Sequence, residues 1–223
     1  TNSDKALALY KEANELAITT KDKPAILRAK NSMAYIYSER MDTEKSLVLF
    51  REGYQIAKEI GNESAIASAM GGLGSYYWQI RNGDSARFYW ESTLDLYKKL
   101  EDKKRIGTTM NNLAIIYWVF DNELDKAINM FQKSYDMKGW IGSLTNIGEI
   151  YNQKGEYEKS LEYYDKSLDH AVMVNDKRGI AHMHRLYGQY YDRIHDHKNA
   201  IKSWKISYDL HSELKYERWK AVS

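Results

Sequence analysis

A short pattern of apolar and small residues recurs along the chain, in most cases forty residues apart. Each copy reads apolar, small, two variable residues and then tyrosine, and the copies occupy residues 33–37, 73–77, 113–117, 147–151 and 187–191. Repetition at this period is typical of stacked structural units, each of which buries its apolar face only against its neighbours. The pattern therefore predicts an array of similar units.

A second pattern follows each copy of the first and combines small residues with one aromatic ring. It recurs as Ser46/Phe50/Gly53, Ala86/Trp90/Thr93, Ala127/Phe131/Ser134, Ser160/Tyr164/Ser167 and Ala200/Trp204/Ser207. Spacings of four and three residues place each set on one side of a helix, where a neighbouring helix can approach closely and contact the ring. The same spacing at Ala6, Tyr10 and Ala13 predicts that the chain begins with the second helix of a unit.

Both patterns predict an all-α protein built from antiparallel helix pairs. The chain has a single proline and no run of alternating β-branched residues, so helix is favoured over strand throughout. Turn residues such as Gly61-Asn62 and Asn175-Asp176 fall between the pairs, where Asn and Asp can cap the next helix. We expect one array over residues 1–223, with a half repeat at 1–20, full repeats at 24–60, 64–100, 105–138, 141–174 and 178–213, and the start of another at 216–223.

The two patterns together resemble the tetratricopeptide repeat. The first helix of that repeat carries Asn-Leu-Gly-x-x-Tyr, and residues 146–151 read Asn-Ile-Gly-Glu-Ile-Tyr. The resemblance covers essentially the whole chain and implies a right-handed superhelical solenoid. Three of the four intervals here are 40 residues, against the usual 34 of the family. This long period is similar to that of bacterial peptide-pheromone receptors, kinesin light chains and bacterial sensor regions.

One interval departs from the long period. Ala114 and Gly148 are only 34 residues apart, and the junction Lys138-Gly139-Trp140 lacks the Asp or Asn found at the other turns. Two explanations stay open, an omitted loop near residues 138–140 or a true deletion.

The chain also begins at Thr1 and ends within a helical pattern, so we expect it to be a piece of a longer protein.

Charge and composition exclude several classes of function. The 33 basic and 31 acidic residues are interspersed and leave a net charge of +2, so nucleic-acid binding by a phosphate-tracking patch is not expected. The longest apolar run, residues 113–120, is far below the roughly 20 residues that span a bilayer. The cellular compartment stays open, and the resemblance to sensor regions favours a place outside the cytoplasm.

Catalytic and metal-binding signatures are missing from the sequence. There is no H-E-x-x-H, phosphate-binding loop, G-x-S-x-G or cysteine nucleophile, so we expect neither an enzyme nor a cofactor. Four histidines lie close together in sequence, at positions 182, 184, 195 and 197. The first two point in different directions from one helix and the others lie in a polar turn, so we expect solvated histidines and no metal site.

Binding in a groove is the leading functional interpretation, because the resemblance implies a concave surface lined by one stripe of the first helices. The predicted peptide-binding residues are Asn31, Tyr35, Trp78, Asn111, Asn112, Ile115, Trp118, Asn146, Glu149, Arg185 and Gln189. A carboxamide offers both a donor and an acceptor to an extended peptide backbone, and groove asparagines do this in the peptide receptors. Two alternatives stay open: the Trp78 and Trp118 rings could be core, and the asparagines could join one helix to the next.

The chain is therefore predicted to bind a protein or peptide as the sensor or scaffold part of a larger bacterial signalling protein. A structural role is the alternative, because the half repeats at the two ends should expose apolar faces. Such faces could support self-association through the end repeats.

Overall fold

The computed structural model describes residues 2–220, apart from the side chains of residues 2, 138 and 216–220, and this range forms eleven α-helices without a strand. The helices are α1 (Asn2–Thr19), α2 (Lys23–Glu39), α3 (Thr43–Glu59), α4 (Glu63–Gln79), α5 (Gly83–Lys99), α6 (Lys103–Val119), α7 (Leu124–Lys138), α8 (Ile141–Gln153), α9 (Tyr157–Met173), α10 (Lys177–Arg193) and α11 (His197–Lys220). The predicted all-α class, built from repeated helix pairs, is confirmed.

Most helices are joined by three-residue turns that share one conformation. The middle residue of the turn has a positive φ, for example 58° at Lys21 and 61° at Arg81. The N–H of the next residue then donates to the carbonyl five residues earlier, as from Asn82 to Tyr77 at 2.9 Å. This bonding closes the end of a helix and reverses the chain direction.

The last residue of such a turn also begins the next helix. The side chains of Asp22, Asp42, Asn62, Asn82 and Asp102 each accept a hydrogen bond from the backbone N–H three residues later. One Asp or Asn thus closes the preceding helix with its N–H and caps the following helix with its side chain. These bonds fix the path of the chain at the starts of α2 to α6.

Close packing within each helix pair depends on an aromatic ring that lies on a small residue. Trp90 of α5 covers Gly74 of α4, where a Cβ atom would come within 2.5 Å of the indole. Tyr164 of α9 covers Gly148 of α8 in the same way, at 2.7 Å. Both rings are buried, so glycine is required at these positions by the close approach of the ring.

The chain divides into two compact units, residues 1–122 and 123–223. In the first unit α1 to α6 pack consecutively and α2 also contacts α4, and in the second α7 to α11 pack consecutively. The division falls inside the third predicted repeat. The turn there has four residues, and its capping residue Glu123 makes no side-chain bond to the start of α7. This turn therefore lacks the double bonding found at the starts of α2 to α6, as do the starts of α8 and α9, where Trp140 and Glu156 make no side-chain cap bond.

The short interval in the sequence corresponds to two short helices. α7 and α8 contain 15 and 13 residues, whereas α2 to α6 contain 17 each. The two-residue connection between α7 and α8 begins with Gly139 at a φ of 65°. The shortening is thus taken up within helices.

The end of the array differs from the sequence-based expectation. α11 is continuous from His197 to Lys220, so residues 216–220 extend that helix and do not begin a new one. The physical reason is that Glu213, Leu214 and Lys215 favour helix and include no turn-forming Gly, Asn or Asp. Residues 221–223 of the predicted further repeat lie outside the described residues.

Candidate functional site

A polar cleft of about 250 Å³ lies on the first unit and is lined by side chains of α2, α4, α5 and α6. Two predicted site residues, Tyr35 of α2 and Asn112 of α6, line it from different helices, with Ser68 and Gly71 of α4 also on its wall. The Tyr35 hydroxyl lies 3.5 Å from the Ser68 carbonyl oxygen, and Tyr35 remains 44% exposed. Two helices thus present their predicted residues to one cleft.

A second cleft, of about 320 Å³, adjoins the first because Ser68 and Arg105 line both. Arg28 and Asn31 of α2 contribute to its wall. Nη1 of Arg105 donates to Oγ of Ser64 at 2.6 Å, which holds this guanidinium at the boundary of the two clefts. None of the described residues that line the two clefts is acidic, and Arg28 and Arg105 are their charged lining residues. Nε of Arg105 also pairs with the carboxylate of Asp102, outside both clefts, at 3.5 Å.

Hydrogen bonding within the first cleft leaves acceptors and donors available. The hydroxyls of Thr108 and Thr109 donate to the carbonyls of Lys104 and Arg105, at 3.2 and 2.8 Å. The Thr109 hydroxyl, which donates this one bond, can therefore still accept through an oxygen lone pair. The Asn112 carboxamide has no hydrogen bond to any other residue that the structure describes. This arrangement can pair with an extended peptide backbone and can hold an acidic group near arginine.

The predicted tryptophans have a different environment. Ring centroids of Trp78 and Trp90 are 6.5 Å apart, and those of Trp78 and Phe120 are 5.6 Å apart. Trp78 is thus half-buried in an aromatic cluster that joins α4, α5 and the end of α6, which agrees with the packing alternative. Trp118 and Ile115 are also half-buried, and neither is among the residues lining the two clefts.

The predicted asparagines also differ in whether their side chains are accessible to a ligand. Asn111 is only 2% exposed, so its side chain packs among the helices and the expectation that it contacts a ligand needs correction. Adjacent residues of a helix point about 100° apart, which is why Asn112 reaches the cleft. Asn31 is half-buried against α3, where its Oδ1 would lie 2.5 Å from a Cβ at Gly53. Asn146 is half-buried on α8 of the second unit.

The other predicted site residues, Glu149, Arg185 and Gln189, lie on the second unit. Nη1 of Arg185 donates to Oε1 of Gln189 at 3.3 Å, and its Nη2 lies 3.3 Å from Nδ1 of His182. Burial raises the pKa of Glu149, and the positive charge of Arg185 partly opposes this increase. Burial lowers the pKa of His182, and the charges of Arg185 and His211 lower it further. A neutral histidine therefore lies beside the arginine.

Most residues of the first-unit clefts, among them Ser68, Arg105 and Thr108, were not predicted as site residues. The predicted stripe begins at Gly71 in α4 and at Asn111 in α6. Ser68 and Thr108 lie three residues earlier, so a stripe extended by one turn would have included them. Arg105 has no periodic signal, since the corresponding residues of the preceding repeats are Ala25 and Ala65. Only the packed helices show that its side chain borders both clefts.

Within the described part of the chain, no group of three or more His, Asp or Glu side chains could hold a metal ion. No helix within residues 2–220 combines the length and the apolar character that crossing a bilayer requires.

Several solved structures share this fold. BtubC (BKLC) from P. vanneervenii superposes with a TM-score of 0.77 at 15% identity, covering 96% of this chain and 93% of that chain. A Rap protein complexed with Competence and Sporulation Factor gives 0.75 at 14% identity, covering 96% and 72%. The Rap conjugation gene regulator of plasmid pLS20, in complex with the Phr* peptide, gives 0.72 at 14%, covering 96% and 70%. Identities this low show similarity of fold alone.

Sequence comparison gives the family. No curated protein matches the chain in sequence. A family model for the tetratricopeptide repeat matches residues 65–138 and 141–203, more than half of the chain. The recurring helix pairs, each with an aromatic ring on a small residue, agree with this match. The chain belongs to the tetratricopeptide repeat family.

Proposed function

We propose that the chain is a protein- or peptide-binding scaffold that holds an extended segment against the two clefts of its first unit. The observation that carries this proposal is the placement of Tyr35 and Asn112, on separate helices, in one cleft. The Asn112 carboxamide has no partner among the described residues and can both donate to and accept from a peptide backbone.

The composition of the clefts favours a ligand that is neutral or acidic. Arg28 and Arg105 border the surface, and the described lining residues include no carboxylate. A charge-assisted hydrogen bond from an arginine to a carboxylate is roughly twice as strong as a neutral one. The exposed ring of Tyr35 adds apolar area at about 25 cal/mol/Å² when a ligand covers it. Backbone recognition would give affinity, and the arginines would select the charge.

Solved structures of similar fold support a peptide ligand by analogy. Two of them are Rap proteins in complex with Competence and Sporulation Factor and with the Phr* peptide. By analogy, the chain would serve as the sensor or scaffold part of a signalling protein. Glu149, Arg185 and Gln189 form a separate polar surface on the second unit, and we propose them as further ligand contacts.

Peptide selection followed by matched substitutions tests the proposal. Peptides enriched from a random nine-residue library on the unaltered protein should bind Tyr35→Ala and Asn112→Ala at least tenfold more weakly, by calorimetry. The matched controls are Tyr208→Ala and Asn129→Ala, which change the same residue types at exposed positions outside the clefts. Their affinity should stay within twofold. Failure to enrich any peptide, or equal affinity for all four variants, would exclude the clefts as the binding site.

Self-association is a second candidate function, favoured by exposed apolar residues on the first and last helices. Leu9 and Leu16 of α1 are 64% and 67% exposed, and Ile201 and Tyr208 of α11 are 64% and 72% exposed. Within each helix the two residues are seven positions apart and so lie on one side. Sedimentation velocity of the unaltered chain and of Leu16→Glu/Tyr208→Glu checks this role. A monomer at every concentration would reject it.

A further inference from the structure

A third cleft of the first unit, of about 450 Å³, lies between α1, α2 and α3. Its wall is mostly apolar and includes Met33 and Tyr37 of α2 together with Val48 and Leu49 of α3. None of its described lining residues belongs to the two clefts discussed above. Both the volume and the apolar lining are in the range of small-molecule sites.

Tyr37 is the tyrosine that ends the recurring sequence pattern, and its counterparts carry a stacked ring in other repeats. In the second full repeat Tyr89 stacks on Tyr77, with ring centroids 5.3 Å apart and planes 8° apart. In the fourth full repeat Tyr163 stacks on Tyr151 at 5.6 Å and 21°. In both cases a ring from the second helix of the pair covers the tyrosine of the first.

The first full repeat has a leucine where these repeats have the stacking ring. Leu49 follows Tyr37 by the same interval that separates Tyr89 from Tyr77. Leucine ends at Cδ and has no planar face. Tyr37 has no aromatic partner among the described residues, and both Tyr37 and Leu49 border the cleft. The cleft therefore lies beside Tyr37 at the place where the other two repeats hold their own ring.

The surroundings of the tyrosine are otherwise alike in the first and fourth full repeats. Nζ of Lys159 lies 5.2 Å from the ring centroid of Tyr151 and 2.6 Å from a carboxylate oxygen of its own turn. Nζ of Lys45 has the same two contacts in the first repeat, at 5.3 and 2.6 Å. Glu44 lines the cleft, and its counterpart is Glu158. The same charged groups thus accompany a stacked, neutral ring in the fourth repeat.

The remaining two repeats provide their tyrosine with other partners. The Tyr117 hydroxyl donates to Oε1 of Glu91 at 3.0 Å. Tyr191 stacks on Tyr187, with centroids 6.3 Å apart and planes 24° apart. Within the described part of the chain Tyr37 has neither a hydrogen-bonded side chain nor a stacked ring. Its free ring face is therefore a difference of the first repeat.

The second repeat also indicates where a polar group on the ring would lie. Burial raises the pKa of Tyr89, and the nearby positive charge of Arg51 opposes this increase. Lys11 of α1 lies forty residues before Arg51 and lines the cleft. Its ammonium has no hydrogen bond or ion pair to another described residue. A hydroxyl on the ring can accept a hydrogen bond from this ammonium.

We propose that the cleft between α1, α2 and α3 binds a small phenol. Its ring stacks on Tyr37, in the place that Tyr89 and Tyr163 take in their own repeats, and its hydroxyl accepts a hydrogen bond from Lys11. Stacking of two rings contributes beyond the burial of apolar area, so the cleft selects a planar ring over an aliphatic one. The site does not rest on the peptide-binding proposal.

The compound p-cresol is a suitable probe because it is the tyrosine side chain without its backbone. Titration of the full chain, followed by NMR chemical shifts, should show one saturable site. The aliphatic analogue 4-methylcyclohexanol has the same heavy atoms without a planar ring, and it should bind roughly threefold more weakly or worse. No saturable p-cresol binding, or equal binding of the two compounds, would overturn the proposal.

Substitutions at the stacking position place the probe in the cleft. Leu49→Tyr supplies the missing ring from the protein itself and should weaken p-cresol roughly tenfold or more. Val172→Tyr is the control at an exposed position outside the cleft, and it should leave the affinity within about twofold. Tyr163→Leu removes the ring of the fourth repeat and should create a second p-cresol site. Unaltered affinity in Leu49→Tyr, or a single site in folded Tyr163→Leu, would refute the equivalence of the repeats on which the proposal rests.

Lys11→Met tests the polar contact separately. Lys11 is exposed, and methionine keeps an unbranched stem without the ammonium. The p-cresol affinity should fall about threefold, whereas toluene, which has no hydroxyl, should bind as before. Equal p-cresol affinity before and after the substitution would show that Lys11 does not hold the hydroxyl.

Discussion

Glycines in the first helices of the repeats differ in whether a neighbouring side chain leaves room for a Cβ atom. Gly74 lies under the Trp90 indole, which also donates from Nε1 to the Gly71 carbonyl at 3.1 Å. A Cβ at Gly71 itself would be 3.6 Å from the nearest side-chain atom, an ordinary contact. One glycine is therefore required by packing, while the other lies in a helix interior that would accept alanine.

Two single substitutions in α4 should consequently have opposite effects on stability. Gly71→Ala should raise the free energy of unfolding by about 0.5–1 kcal/mol, because alanine loses less backbone entropy in a helix. Gly74→Ala should lower it by about 1–3 kcal/mol, because the new methyl forces Trp90 out of place. Urea unfolding followed by circular dichroism measures both. Equal changes in the two variants would show that the indole does not constrain Gly74.

At the scale of elements, most turns between helices share the same backbone conformation. A residue with positive φ is followed by an Asp or Asn that closes one helix and caps the next. The turn after α6 departs from this scheme, since Glu123 provides no side-chain cap. The same turn marks the division between the two compact units. A longer turn and a Glu in place of Asp or Asn thus go together with the loss of the cap bond.

Substitution of a capping residue should destabilise the protein only where its side chain makes the cap hydrogen bond. The Asn82 side chain accepts from the Ser85 N–H at 3.0 Å, so Asn82→Ala should destabilise the protein by about 1 kcal/mol. Glu123→Ala removes no cap bond and only an exposed ion pair with Lys126 at 3.0 Å. It should therefore cost less than about 0.5 kcal/mol. Thermal unfolding of the two variants compares them directly, and equal losses would argue against the capping role.

For the whole molecule, charge has little net effect on stability, because 33 basic and 31 acidic residues nearly balance. The dependence of stability on pH should then come from a few shielded groups. Burial lowers the pKa of His182 and of His184, and the buried Nδ1 of His184 has no hydrogen-bond partner among the described residues. Both lie on α10 of the second unit.

Stability should consequently fall as pH decreases below about 6.5. In this window the unfolded chain binds a proton at each histidine before the folded protein does, so unfolding becomes more favourable. Each histidine can contribute at most about 1.4 kcal/mol per pH unit. His184→Gln should flatten the decrease between pH 7.5 and 5.5, and the exposed control His195→Asn should not. Chemical unfolding at a series of pH values measures the slopes, and identical slopes in all three proteins would contradict the assignment.

Much of the fold followed from the spacing of residues. The small and aromatic positions such as Ala86, Trp90 and Thr93 were predicted to pack, and the structure buries all three. The candidate site was less predictable. Asn111 and Asn112 are adjacent in sequence, yet one is buried and the other lines a cleft. The spacing of residues predicts the side of the helix that faces the groove only to within about one residue. Packing by the neighbouring helices decides which of two adjacent residues remains accessible.

The sequence by itself determined the helix pairs, the turns between them and the family, because these depend on local periodicity and on capping residues that act within a few positions. Tertiary structure alone decided the rest. It placed Arg105 between two clefts and packed Trp78 against Trp90 and Phe120. Such features depend on contacts between residues far apart in the chain, which no pattern along a single helix encodes.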